Sequence, residues 1–343
     1  MERHALSAID SRETGPLGVP HLRRLWARAQ LGMLGAGVSP DEDERLLDMI
    51  AYDTLAMGTT DAVKFLFQPG LPYEAFEEWV ASLVPPERID LARHRLSVAI
   101  SDAAPPELAL PPNEDEAVLS EEDLAFFEQH GYVIVHDAVP EADRVAAEQV
   151  IWEALDATPD DPDSWYTSGW ELRRKVMVEL YRHPALEATR SASRIRRAYA
   201  QLWQTDALCY TTDRAGFSLP ERHDYQFSGP YLHWDVHFMI PMPFSLQGIL
   251  YLTDTPAEQG AFQCVPGFHH RMDKWLASLP PDADPNIQAQ NSLEPQPIAG
   301  RAGDLIIWHH CLPHGPTPNR GSKPRIVQYV TMYPYHRHLG RRK

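Results

Sequence analysis

Positive charge is scarce in this chain. Its 31 Lys plus Arg against 48 Asp plus Glu leave a formal net charge of -17. A balance of that sign gives no electrostatic footprint for nucleic acid or for an anionic membrane. Long apolar runs are missing too. No stretch approaches the ~18 continuous apolar residues that would span a bilayer. The amino terminus, MERHALSAIDSRETGP, carries no apolar segment of the kind a secretory leader needs. Cysteine is limited to Cys209, Cys264 and Cys311, in no C-x-x-C spacing. That argues against a disulfide framework or a zinc ribbon and predicts a reducing, cytoplasmic setting. Several catalytic signatures are absent as well: G-x-S-x-G, G-x-x-x-x-G-K-[ST], H-E-x-x-H and G-x-G-x-x-G do not occur.

What is present is a globular composition, 43% hydrophobic and 23% charged over 343 residues, enough for one large domain or two ordinary ones. The character changes across SDAAPPELALPPNEDEA, residues 101–117, where two Pro-Pro pairs and dense acids cannot continue a helix. Before it, PHLRRLWARAQLGMLGAG places Leu22, Leu25, Trp26, Ala29 and Met33 near a 3.6-residue period. The stretch SPDEDERLLDMIAYDTLAMG reads as a helix capped by Ser39 and ended by Gly58. We therefore expect residues 1–110 to form a helical accessory module, with 111–118 as linker. An interaction role, including a homodimer through this module, is the expectation for it. Beyond the linker, Ser120 should cap a helix that Gly131 ends, and YVIV should begin a strand. Helices near 139–157 and 184–204 follow. From 207 onward come short β-rich segments separated by turn residues: ALCYTTD, YLHWDVHFM, LQGILYLTD, GAFQCVPG, GDLIIWHHCLPHG and PRIVQYVTMY. That spacing predicts a mainly β barrel or sandwich with flanking helices.

One of these segments carries an anomaly. In GPYLHWDVHFMIP, His233, Asp235 and His237 alternate within an apolar run, and a strand would turn all three to one side. A buried face needs a reason to hold two imidazoles and a carboxylate. His233 and Asp235 at i and i+2, joined by His314 from the turn CLPHGP, would make the two-histidine, one-carboxylate set that holds Fe(II) with positions left open. Neither H-x-D nor a lone turn histidine is specific by itself; hydrogen-bonded structural histidines are the ordinary alternative. Arg325 opens the next strand eleven residues after His314 and would offer a bidentate fork to the distal carboxylate of 2-oxoglutarate. Arg320, in the turn PNRGSK, is the competing but less favoured guanidinium.

Together these stretches resemble a known family. From LSEEDLAFFEQHGYVIVHDAV to YVTMYP, residues 119–334, the chain is similar to the phytanoyl-CoA dioxygenase family of Fe(II)/2-oxoglutarate oxygenases. FFEQHGYVIV, the H-W-D segment, GAFQCVPGFHH and GDLIIWHHCLPHGPTPN…PR carry the likeness. The resemblance implies a double-stranded β-helix (jelly roll, cupin-like) domain over 119–343. It implies His233, Asp235 and His314 on iron and Arg325 on 2-oxoglutarate. It also implies an aromatic group beside the cosubstrate at Tyr251, sixteen residues after Asp235. Because Asp235 is retained, oxygen transfer or another C–H oxidation is favoured over halogenation. The expected reaction uses Fe(II), 2-oxoglutarate and O2, releases succinate and CO2, and oxidises a small organic substrate. His237, Arg214 and Tyr225 are the candidate substrate contacts, His237 having metal-ligand and structural readings as well. The competing readings are a zinc or manganese isomerase or hydrolase on the same scaffold, which needs no Arg325, and a non-enzymatic binding module.

Overall fold

Helix boundaries follow the local chemistry of their ends. The structure, a computed structural model, describes residues 6–37, 39–101, 117–167, 169, 173–174 and 176–336. Five helices lead: α1 Leu22–Met33, α2 Glu42–Thr54, α3 Thr59–Leu66, α4 Tyr73–Leu83 and α5 Pro86–Ile100. Asp41, not Ser39, caps α2, its carboxylate accepting the Glu44 N–H at 2.8 Å. Gly58 stands as the N-cap of α3 rather than as the end of α2. The expected linker lies outside the described residues as far as 116, and by Val118 the backbone is already anchored on Gln201 Oε1 at 2.8 Å. Helix α6, Glu121–His130, has the expected form: Ser120 and Asp123 make a reciprocal capping box, and Gly131 ends it at φ 78°. Later helices include α7 Glu141–Ala154, α8 Pro184–Arg190 and α9 Ser193–Trp203.

The strands are β1 Tyr132–Val135, β2 Arg173–Arg174, β3 Met177–Val178, β4 Leu208–Tyr210, β5 Ala215–Ser218 and β6 Leu246–Tyr251, followed by β7 Phe262–Cys264, β8 Gln296–Ile298, β9 Leu305–His309, β10 His314–Pro316, β11 Arg325–Tyr329 and β12 Met332–Pro334. All pairings between these strands are antiparallel. Seven strands form one sheet in the order β1-β9-β6-β11-β5-β3-β2; β10-β7-β8 form a second, and β12-β4 a third.

The large sheet is covered on both faces, which explains why its strands read as unbroken apolar runs. Leu250, Leu252, Leu305, Ile307 and Ile326 point to one side, into an apolar cluster continuous with α1–α5. Their neighbours Ile249, Tyr251, Ile306, Trp308 and Val327 point to the other side, where Phe262 and Cys264 of the small sheet meet them. Odd-numbered positions of β6 and β11 thus face the space between the sheets. Gln247 and Arg325 lie on that face.

Gly248 shows how tightly the opposite face is filled. A β-carbon there would overlap the Tyr199 hydroxyl and the Val330 carbonyl, which are themselves hydrogen-bonded at 2.8 Å. We expect Gly248→Ala to lower unfolding free energy by about 1–3 kcal/mol through overpacking. Urea denaturation checks this, and an unchanged midpoint would show that the site relaxes freely.

The metal segment is where the strand expectation fails. YLHWDVHFM is not a strand: around His233 only one isolated bridge to His314 forms, and the backbone bends at Leu232, Asp235 and Val236. Side chains from residues 285–292 pair part of its backbone instead: Asn286 Oδ1 accepts the Trp234 N–H at 3.0 Å, and Gln290 Nε2 donates to the Leu232 carbonyl at 2.9 Å. Trp234 is buried as expected, donating Nε1–H to the Cys311 carbonyl at 2.8 Å and packing on Phe238, Phe268 and Trp275. Among the described residues no helix is long and apolar enough to cross a membrane.

Candidate metal centre and its cavity

His233 and His314 face each other because their backbones exchange N–H···O bonds of 2.8 and 2.9 Å. Each imidazole is then fixed from behind. His233 Nδ1 donates to the Tyr231 carbonyl at 2.6 Å, and His314 Nδ1 donates to the Leu312 carbonyl at 3.0 Å. A carbonyl can only accept, so the proton sits on Nδ1 and each Nε2 keeps its lone pair for the centre. Asp235 lies between them: its Oδ1 is 3.5 Å from His233 Nε2 and its Oδ2 is 3.3 Å from His314 Nε2.

Ligand atoms of the three residues lie within 4.8 Å of one another. With both imidazoles neutral, the centre would hold only acceptors facing acceptors. A cation or bound protons must relieve that. Burial alone would raise the Asp235 carboxyl, but its contacts with His233 and His314 outweigh burial and hold it far below the usual range. Burial likewise opposes charge on His233, yet Asp235 draws its pKa upward. The set is a good divalent-metal site by its chemistry: two neutral nitrogens, one carboxylate, and no fourth protein ligand among the described residues.

A cavity of about 270 Å³ opens beside these residues. Arg325, 1% exposed, forms part of its wall. Its Nε and Nη2 are buried without a hydrogen-bond partner. A buried guanidinium with unsatisfied donors is costly unless an anion completes it. Arg320, by contrast, is solvent-facing near Glu221, at 3.7 Å.

The other expected residues divide. Arg214 lines the cavity, its Nε 3.3 Å from Asp213 Oδ1. Tyr251 faces the same inter-sheet layer but is not in the cavity wall; its hydroxyl donates to Ile298 O and accepts from Phe262 N–H, each at 2.8 Å. Tyr225 stacks edge-on against Tyr166, away from the cavity. His237 is exposed and is not in the wall. Alternation was its only link to His233 and Asp235, and the bent backbone removes it. Sequence reasoning missed Tyr329, Asp213 and Gln247, all in the wall. Tyr329 was reachable, since it lies four residues after Arg325 on one strand and so shares its face. Asp213 and Gln247 depend on pairings that no local pattern reveals.

His309, His310 and Cys311 form a second group with close ligand atoms. Their chemistry is already committed. His309 Nδ1 accepts the Cys311 N–H at 3.1 Å, His310 Nε2 donates to the Pro243 carbonyl, and burial pushes the Cys311 thiol up to about 12.

Comparison with known proteins bears on the same residues. A Dictyostelium discoideum protein named "Putative phytanoyl-CoA dioxygenase" is 27% identical over 94 residues, which is 26% of this chain and 27% of that protein. The chain thus aligns with about a quarter of that relative's length. Among solved structures, EvdO2 from Micromonospora carbonacea var. aurantiaca complexed with 2-oxoglutarate is 19% identical with a TM-score of 0.42, covering 62% of this chain and 90% of that one. EctD from S. alaskensis in its apoform is 16% identical with a TM-score of 0.45, covering 67% and 85%. The sequence profile described as "Phytanoyl-CoA dioxygenase (PhyH)" matches residues 127–327, more than half of the chain and inclusive of His233, Asp235, His314 and Arg325. The chain therefore belongs to the phytanoyl-CoA dioxygenase family of iron- and 2-oxoglutarate-dependent oxygenases.

Proposed function

We propose that the protein is a dioxygenase that oxidises a C–H bond of a small organic molecule. His233, Asp235 and His314 would hold Fe(II), and Arg325 would hold the distal carboxylate of 2-oxoglutarate. The single observation that carries this reading is the unpartnered, buried Arg325 guanidinium in the same cavity as the three ligands. A zinc or manganese isomerase or hydrolase does not require a buried cation there. Iron and 2-oxoglutarate, when bound, supply with O2 the oxidising power and yield succinate and CO2. The chain's own residues bind and orient. The two carbonyl-locked imidazoles present Nε2 lone pairs, Asp235 balances charge, and Arg325 fixes the far end of the keto acid through a planar fork. The facing antiparallel sheets, with the three ligands at one end of the inter-sheet space, support reading residues 119–336 as a double-stranded β-helix. The preceding helices are then an accessory module packed on its outer face. Arg214 and Asp213 are the favoured substrate contacts, because both border the cavity.

Anaerobic titration tests this. Protein loaded with Fe(II) should develop a metal-to-keto-acid absorption band on adding 2-oxoglutarate. If iron is bound and no band appears, the oxygenase reading fails.

A further inference from the structure

We infer that Gln247 is a positioning residue for the metal-binding carboxylate, held in its working orientation by Trp308. The inference rests on the metal-site reading above. Asp235 sits on a bent loop segment rather than in a ladder, and 57% of its side chain is exposed. The histidines are braced through Nδ1, but that bracing does nothing for Asp235. With the proton of each ring on Nδ1 and both Nε2 lone pairs turned to a metal, neither imidazole donates to the carboxylate. Gln247 then supplies the side-chain donor: its Nε2 donates to Asp235 Oδ2 at 3.1 Å.

The amide's orientation is fixed chemically. Gln247 and Trp308 are directly opposed in the β6–β9 register. Trp308 Nε1–H donates to Gln247 Oε1 at 3.2 Å. An indole nitrogen can only donate, so the amide oxygen must face Trp308 and the NH2 must face Asp235. A flipped amide would turn its oxygen toward a carboxylate. The relay Trp308–Gln247–Asp235 therefore runs from a buried strand, through one cross-strand pair, to an exposed carboxylate on a segment outside any ladder.

The experiment titrates Mn(II) into metal-free protein without cosubstrate, read by electron paramagnetic resonance, with thermal melting of the metal-free protein beside it. Gln247→Leu keeps the bulk and removes both bonds. It should raise the Mn(II) Kd by about 10- to 100-fold, the range for lost outer partners of a ligand, with the metal-free melting temperature little changed. Trp308→Phe keeps Gln247 but frees its amide, and should weaken Mn(II) in the same direction by a smaller factor. This second variant decides the matter if the first does not fold. Metal affinity equal to wild type in the folded variants overturns the inference while leaving the metal site intact. A wild-type protein that binds no Mn(II) overturns the metal-site reading itself, and the inference with it.

Discussion

Arg325→Ala is expected to raise the Kd for 2-oxoglutarate by about 10²- to 10⁴-fold while leaving metal affinity within a few-fold. Two charge-assisted bonds to a carboxylate would be lost, each worth about 1.5–3 kcal/mol, and every ~1.4 kcal/mol is a factor of ten. The metal ligands do not depend on Arg325, since each imidazole is braced by a backbone carbonyl and not by the guanidinium. Arg325→Lys should fall between, because an ammonium keeps the charge but loses the planar fork. Stability should move the other way from affinity. In the absence of an anion the guanidinium is 1% exposed with Nε and Nη2 unpartnered, so its removal should leave the cosubstrate-free protein as stable as before or more so. Anaerobic 2-oxoglutarate titration with melting curves separates the two effects. An unchanged Kd for 2-oxoglutarate would transfer the role to Arg214, the other guanidinium in the cavity wall.

The second large effect concerns Asp53, far from the metal in sequence and part of the helical region. Its buried carboxylate accepts the Thr212 N–H and the Tyr333 O–H, and its carbonyl accepts from Arg88 Nη2 at 3.0 Å and Thr212 Oγ1 at 3.1 Å. These bonds tie α2 to the segment that carries Asp213 and Arg214 into the cavity wall. Burial pushes the Asp53 carboxyl up to about 7, against the lowering effect of its two donors and of Arg190, with Asp213 adding to the rise. An unfolded aspartate titrates near ~3.9. Between those values the folded state holds a proton that the unfolded state has released. Stability therefore falls as pH rises from about 4 to 7 and levels off above 7, by an amount on the order of 4 kcal/mol for a shift of about three units. Asp53→Asn should abolish that slope: less stable than wild type at pH 5, equal or better at pH 8. Urea unfolding at pH 5, 6.5 and 8 measures it, and identical slopes for the two proteins would refute the assignment. Asp53→Ala strands two buried donors and should cost about 1–3 kcal/mol for each at low pH.

Much of the site was legible before any coordinates. His233 and Asp235 stood out because polar groups in apolar surroundings demand a partner, His314 because a third ligand had to come from another segment, and Arg325 because a guanidinium opening the next strand suits a carboxylate. The strand faces were legible too, since alternation of period two places Val327 and Tyr329 with Arg325. Less visible was the shape of the metal segment. Alternating residues in YLHWDVHFM imitate a strand, but the chain bends, and His237 loses the company that alternation had given it.

The residue types able to bind a metal and an anion, the ends of helices such as α6, and the strand positions that must be covered can all be read along the chain. Those are local matters, set by caps, periodicity and the cost of burying unpaired charge. Tertiary structure alone decided which nitrogen of each imidazole faces the centre, that Tyr251 spends its hydroxyl on the backbone, and that Gln247 meets Trp308 on one side and Asp235 on the other. Each of these depends on register between segments distant in the chain. Register is fixed by how whole faces pack, and no short stretch of sequence contains that information.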